Sequence, residues 1–286
     1  MLSGENEVSL VGRKAHVSAI ERNGLELTGD VERLACVEVS ESVIDLPPAE
    51  LLIITTKAYD TQEAISACRD WVQDRTLVLT LQNGLGNLDL LRAWKGRMAL
   101  GGTTTLGATL TSPGVVRVSG LGRTCIGSDL NSSAAKIVAR VFNSSGIPSS
   151  TEREILREIW AKAVVSSCIN PSTAILRIRN GELLKSESVM RLLDEVCAEA
   201  ARVARASGVR VSTKLLQQRV REVARDTAKN TSSMLQDVER GKKTEIAQIN
   251  GAICRLGERL GIDSPLNLAL YSIVSSLQSA VRREKG

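Results

Sequence analysis

The chain runs to 286 residues, 43% of them hydrophobic and 24% charged, which leaves room for two domains of ordinary size and matches the composition of a soluble globular protein. Its aromatics are three Trp, two Tyr and one Phe, so the core rests on aliphatic side chains, and their scarcity argues against a base-stacking binder of RNA or single-stranded DNA. The formal net charge of +5 would suit an anionic ligand, yet Lys and Arg interleave with Asp and Glu almost everywhere, and charge alone reads as a solvated surface.

In chain order, residues 8–11 (VSLV) read as a strand that runs into Gly12, Arg13 and Lys14. Residues 51–56 (LLIITT) form a second strand ending at Lys57, and 61–71 have helical periodicity. Residues 76–81 (TLVLTL) are a third strand, ending at Gln82, Asn83 and Gly84, and 98–105 start another. Continuous apolar strands separated by helices predict a parallel sheet covered on both faces. From about Glu152 the pattern changes. Stretches 155–176, 188–207, 212–236 and 244–260 carry apolar residues at helical spacing, and strand signals all but vanish. The turn-rich stretch 143–150 (NSSGIPSS) makes a natural boundary. The expectation is an α/β domain over 1–150 followed by an all-α domain over 151–286.

Six cysteines, at 36, 68, 125, 168, 197 and 254, form no CxxC, and His16 has no ligand partner at metal spacing. Reduced thiols, no metal and a cytoplasmic location are expected. A single histidine rules out a Ser-His-Asp mechanism unless His16 belongs to it. No signal peptide and no apolar run of membrane-spanning length is present.

Ligands of open α/β sheets bind beyond the carboxyl ends of the strands, and here those ends carry Arg13, Lys14, Lys57 and Asn83. A dinucleotide fold selecting NAD usually places an acid after its second strand, whereas Arg13 and Lys14 would pair with the 2′-phosphate of NADP. A solvated basic turn is the competing reading. In 160–170 (WAKAVVSSCIN), steps of four put Lys162, Ser166 and Asn170 on one helical stripe. Lys162 is then either a lysine tuned for proton transfer by burial, or one that snorkels to solvent. Glu245 falls in the first turn of the next helix, where it either serves the helix dipole or faces the same cleft as Lys162.

Taken together, LLIITTKAYDT, LTLQNGLGN, TTTLGA, WAKAVVSSCINPSTAIL, RNGEL, TSSMLQD and KKTEIAQINGAI resemble the ketopantoate reductase family, in order and at about family spacing over essentially the whole chain. The resemblance implies a Rossmann-like N-terminal domain, a helical C-terminal domain and reduction of 2-dehydropantoate to pantoate by NADPH, on the route to coenzyme A. Lys162 matches the catalytic lysine that hydrogen-bonds the keto oxygen and donates the proton. Arg13 matches the 2′-phosphate ligand, Lys57 and Ala108 match cofactor contacts, and Glu245 matches the carboxylate near the nicotinamide ribose. Asn83 matches the asparagine touching both cofactor and substrate, and Asn170, Asn180 and Ser233 match substrate-holding positions. The implied partner is a small 2-oxo acid, with no nucleic acid or membrane; a homodimer stays open.

Two departures accompany the match. Ser166 stands where the family commonly has a substrate-binding asparagine, so the substrate is either the family's or another 2-oxo acid. The family's opening strand and GxGxxG turn, whose amides hold the pyrophosphate, are absent, and 2–8 (LSGENEV) reads as the end of the helix that follows them. A start set too far downstream is the expected explanation and a cofactor-incompetent relic the alternative; severely weakened NADPH affinity is expected.

Overall fold

Apolar runs too short for helices make the strands of the first half, and the computed structural model places them as their patterns require; residues 1–285 are described. Two units make up the chain: one comprises Met1–Thr56, Asp60–Gln82 and Leu88–Ile155, the other Lys57–Tyr59, Asn83–Asn87 and everything from Leu156.

The first unit contains β1 (Ser9–Val11), α1 (Lys14–Asn23), β2 (Leu25–Gly29), β3 (Arg33–Ala35), β4 (Glu38–Ser40) and β5 (Leu51–Ile54). It continues with α2 (Thr61–Cys68), β6 (Leu77–Thr80), α3 (Asn87–Lys95), β7 (Ala99–Thr104), β8 (Ala108–Ser112), β9 (Val115–Val118), β10 (Thr124–Gly127), α4 (Ser132–Ser144) and β11 (Ser149–Thr151). The main sheet has five strands in the order β11-β10-β7-β6-β5. Neighbours β5, β6 and β7 are parallel, and β10 is antiparallel to β7. In β6, Val78 and Leu79 are both fully buried, the mark of a strand covered on both faces. Leu79, Leu100 and Ile126 pack with Ala134, Ala135, Val138, Ala139 and Phe142, the helical stripe of α4. Asn131 starts that helix by accepting the Ala134 N–H at 3.1 Å.

Strand β1 pairs in parallel with β4 alone, as a separate two-stranded ladder, so β5 forms an edge of the five-stranded sheet. A third sheet, β3-β2-β9-β8, was not expected from the sequence. Its signals were present: Leu25-Glu-Leu27 alternates, and Pro113-Gly114 is a turn pair between β8 and β9. Within the stretch 143–150, residues 145–148 turn between α4 and β11, and β11 pairs with β10, so the first unit continues to Ile155.

The second unit is built from α5 (Ile155–Leu176), α6 (Glu187–Ala206), α7 (Thr213–Asp226), α8 (Ser233–Glu239), α9 (Asn250–Leu260) and α10 (Pro265–Lys285). Its core joins Trp160, Val164, Cys168 and Ile169 of α5 to Leu193, Val196, Cys197, Ala200 and Ala204 of α6, with Val220 and Ile253 from later helices. Each fully buried Leu, Ile or Val there contributes about 1.5–3 kcal/mol. Pro171 lies inside α5; lacking an N–H, it leaves the Ser167 carbonyl without its helical donor. The Asn250 side chain fills the vacancy, its Nδ2 donating to that oxygen at 3.0 Å. Buried Glu199 closes the start of α10, accepting the Leu266 and Asn267 N–H groups at 3.0 Å each.

Two sequence expectations are corrected. The stretch 212–236 is not one helix: α7 ends at Asp226 and α8 begins at Ser233. Thr227 turns back with Oγ1 donating to the Val223 carbonyl at 2.6 Å, and Ser232 caps α8 through the Leu235 N–H. Glu245 is not in the first turn of a helix either, because α9 begins only at Asn250. Residues 244–249 form a turn, held where the Thr244 N–H and hydroxyl both donate to Gln278 Oε1 at 3.0 and 2.9 Å.

Candidate active site

Three chain segments distant in sequence meet in the second unit. The 57–59 stretch follows β5, the 83–87 stretch follows β6, and both pack on the turn before α9. The second approach is close enough to dictate its residue: Gly84 has φ +86°, and a Cβ there would lie 2.6 Å from the Gln248 carbonyl oxygen. That carbonyl accepts the Leu85 N–H at 2.9 Å. Within the 83–87 loop, Asn87 Nδ2 donates to the Asn83 carbonyl at 3.0 Å.

Glu245 is the centre of this meeting and is buried. Its Oε1 accepts the Ala58 N–H at 3.0 Å, and its Oε2 accepts from Asn83 Nδ2 at 3.4 Å. Lys57 Nζ lies 3.7 Å from the same Oε2 and makes a shorter ion pair, at 2.7 Å, with Asp237 Oδ2 of α8. Lys243 places its ammonium 4.2 Å from the centre of the Tyr59 ring. Burial pulls the Lys57 ammonium down, but Glu245 and Asp237 outweigh it and hold its pKa above the usual lysine value.

Lys162 shares this environment. Along α5, Lys162, Ser166 and Asn170 are half-buried while residues 163–165 and 167–169 are buried, so the three share the helix's more open stripe. Desolvation lowers the Lys162 ammonium to about 8, and the Glu245 charge acts in the opposite direction. The balance is an amine mostly protonated at neutral pH and half-protonated only near pH 8, within the field of a carboxylate. Such a group can donate a hydrogen bond to a carbonyl oxygen and then pass a proton to it.

Asn180 is buried at the start of a short turn after α5; its Nδ2 donates to Thr227 Oγ1 at 2.8 Å. Its Oδ1 is buried without a hydrogen-bond partner, a cost that a polar ligand would relieve. Ser233 is exposed at the first position of α8, where Ser232 rather than Ser233 makes the cap. Arg13 and Ala108 belong to the first unit. Arg13 is exposed and sits at the N-terminal cap of α1, directly after β1, with no side chain capping the helix amides. Ala108 is exposed at the start of β8. A concavity of about 420 Å³ in the first unit, lined by Ile20, Arg22, Leu34, Cys36 and Val39 among others, contains none of the candidate residues.

Asp237 was not expected from the sequence. Its one signal was a carboxylate in a segment, TSSMLQD, already singled out for Ser233. Among the described residues no group of His, Cys, Asp and Glu could hold a metal ion, and no helix is long and apolar enough to cross a membrane.

Comparison with known proteins supplies an independent line. Residues 1–130 match the family model described as ketopantoate reductase PanE/ApbA, and residues 154–278 match its C-terminal model. The 2-dehydropantoate 2-reductase of Pyrococcus horikoshii is 35% identical over 275 residues, 96% of this chain and 90% of the relative. The enzyme of that name from Archaeoglobus fulgidus is 37% identical over 278 residues, 96% and 91% of the two chains. Among solved structures, a PanE/ApbA family ketopantoate reductase from Ralstonia eutropha superposes with a TM-score of 0.91 at 31% identity, covering 98% of this chain and 94% of its own. D-mandelate dehydrogenase with NADH and anilino(oxo)acetate also superposes at 0.91, with 26% identity and coverage of 97% and 92%.

Proposed function

The chain belongs to the ketopantoate reductase family, and from that premise we propose that it reduces 2-dehydropantoate to pantoate with NADPH, using Lys162 as the proton donor. The observation that carries this reading is Lys162 itself: an ammonium lowered to about 8 by burial, with the Glu245 carboxylate acting in the opposite direction, on the open stripe of its helix. When bound, the reduced nicotinamide supplies a hydride to C2 of the 2-oxo acid. The Lys162 ammonium hydrogen-bonds the keto oxygen, stabilises the negative charge that grows there and donates the proton that completes the alcohol. Asn170 and Ser166, on the same stripe, orient the substrate, together with Asn180, whose Oδ1 is free to accept from it, and Ser233 at the start of α8.

Part of the cofactor finds suitable partners among the residues present. An exposed Arg13 at an uncapped helix N-terminus is a suitable partner for a phosphate, through both its guanidinium and the helix amides. This favours NADPH over NADH. Lys57, Asn83, Ala108 and Glu245 complete the proposed cofactor-binding set, with Asn83 also reaching the substrate.

The test is oxidation of NADPH, followed by loss of its near-ultraviolet absorbance. The expected result is turnover that requires 2-dehydropantoate and falls by about 10²–10⁴-fold in Lys162→Ala. Turnover unchanged in that variant would remove Lys162 from the mechanism. A second reading keeps the chemistry and changes the acid. It is favoured by Ser166, shorter than asparagine, and by the likeness to a dehydrogenase solved with anilino(oxo)acetate. Higher kcat/KM on an aryl-substituted 2-oxo acid than on 2-dehydropantoate would establish it.

A further inference from the structure

Lys57 stands between two carboxylates, bonded to one and within ion-pair reach of the other. At 2.7 Å from Asp237 Oδ2 it makes a direct charge-assisted hydrogen bond; at 3.7 Å from Glu245 Oε2 it makes a longer ion pair that still acts strongly on Lys57. Glu245 also accepts from the Ala58 N–H and the Asn83 amide, both neutral. The Glu245 carboxylate is thus shared: it acts on Lys57 and, against desolvation, on Lys162. The charged and titratable groups around this pair come from several elements. Lys57 and Tyr59 follow β5, Lys243 lies over the Tyr59 ring, Asp237 comes from α8, Glu245 from the turn before α9, and Lys162 from α5.

We infer that Asp237 is a positioning residue for the reduction: by holding Lys57 it leaves the Glu245 carboxylate to serve Lys162 as counter-charge. The inference rests on the reading of Lys162 as proton donor and adds what keeps that donor charged. Without Asp237, Lys57 would close on Glu245, and Lys162 would lose its counter-charge and its proton at a lower pH.

The experiment measures Lys162 directly in the full chain, by competitive labelling with trace acetic anhydride across a pH series and mass spectrometry of the Lys162 peptide. It needs no turnover, so it stands apart from the assignment of the reaction. In Asp237→Asn the half-titration of Lys162 is expected to fall by roughly half to one pH unit. Asp237→Glu, which keeps the charge, is expected to restore it, and the exposed Asp226→Asn to leave it unchanged. In a Lys57→Gln background the effect of Asp237→Asn is expected to shrink by about half or more. A wild-type titration in Asp237→Asn, or an equal shift in both backgrounds, overturns the inference. Should Asp237→Asn fail to fold, Lys57→Gln alone decides: a raised Lys162 half-titration supports the competition for Glu245, and an unchanged or lowered one refutes it. In turnover, the alkaline limb of kcat is expected to move with the labelling while KM for the 2-oxo acid changes little. Labelling that moves while the limb stays leaves the positioning of Lys162 intact and overturns its role as donor.

Discussion

At Lys162 two opposing effects set the chemistry: removal from water, the larger, which favours the neutral amine, and a buried carboxylate, which favours the ammonium. The sign of the pH dependence follows. The donor must be protonated, and its value near 8 lies below that of an ordinary lysine, so kcat is expected to be level below that pH and to fall by about tenfold per pH unit above it. Activity that keeps rising into the range of an ordinary lysine would contradict this. Glu245→Gln removes the counter-charge, so the falling limb is expected to move to lower pH; a limb that moves up would show that Glu245 does not act on Lys162. The sequence alone showed the stripe of Lys162, Ser166 and Asn170, because spacing along one helix is local information. It left open whether the lysine snorkels, since its surroundings come from Glu245, far along the chain. Asp237 was less legible still: on its own it is one acid among 32 Asp and Glu, and only its contact with Lys57, 180 residues away, distinguishes it.

At the scale of elements, legibility followed periodicity. The strands β5, β6 and β7 and the long helix α5 were readable because an unbroken apolar run or a long helical pattern admits few alternatives. The break between α7 and α8 was not, because 227–232 (TAKNTS) contains neither Gly nor Pro and its stop is made by side chains, Thr227 turning back and Ser232 capping forward. The start of α9 was placed too early for a tertiary reason. Residues 244–249 have helical spacing but are held as a turn by Gln278, Ala58 and Leu85. Proline inside α5 offers a quantitative test. Asn250→Ala leaves the Ser167 carbonyl without its donor and is expected to cost about 1–3 kcal/mol, measured by denaturant unfolding. In a Pro171→Ala background, where the helix regains its own N–H, the same substitution is expected to cost clearly less. Equal costs in both backgrounds would mean that Asn250 stabilises by some other route.

On the scale of the molecule, the second unit is discontinuous. Its core and site draw on 57–59 and 83–87 as well as on the helices, and Leu85 is part of its apolar cluster. A boundary read along the sequence cannot reveal this, because both stretches are embedded among the strands and helices of the other unit. A fragment beginning at Leu156 would lack the Ala58, Asn83 and Leu85 donors, leaving Glu245 and Gln248 with unmet acceptors. Such a fragment is expected to exchange its amide hydrogens over 244–249 much faster than the intact chain, and equal protection would show that the turn is self-sufficient.

The scarcity of aromatics has an optical consequence. Trp71 and Trp94 lie in the first unit, the indole of Trp71 donating to the Leu46 carbonyl, whereas Trp160 is the sole tryptophan of the second and is buried in its core. Replacing Trp71 and Trp94 by Phe would therefore leave a single tryptophan, two positions from Lys162 and selectively excited beyond the tyrosine absorbance. Its blue-shifted fluorescence would redden only when water enters the helical core, so melting of that unit could be followed by colour without any added label.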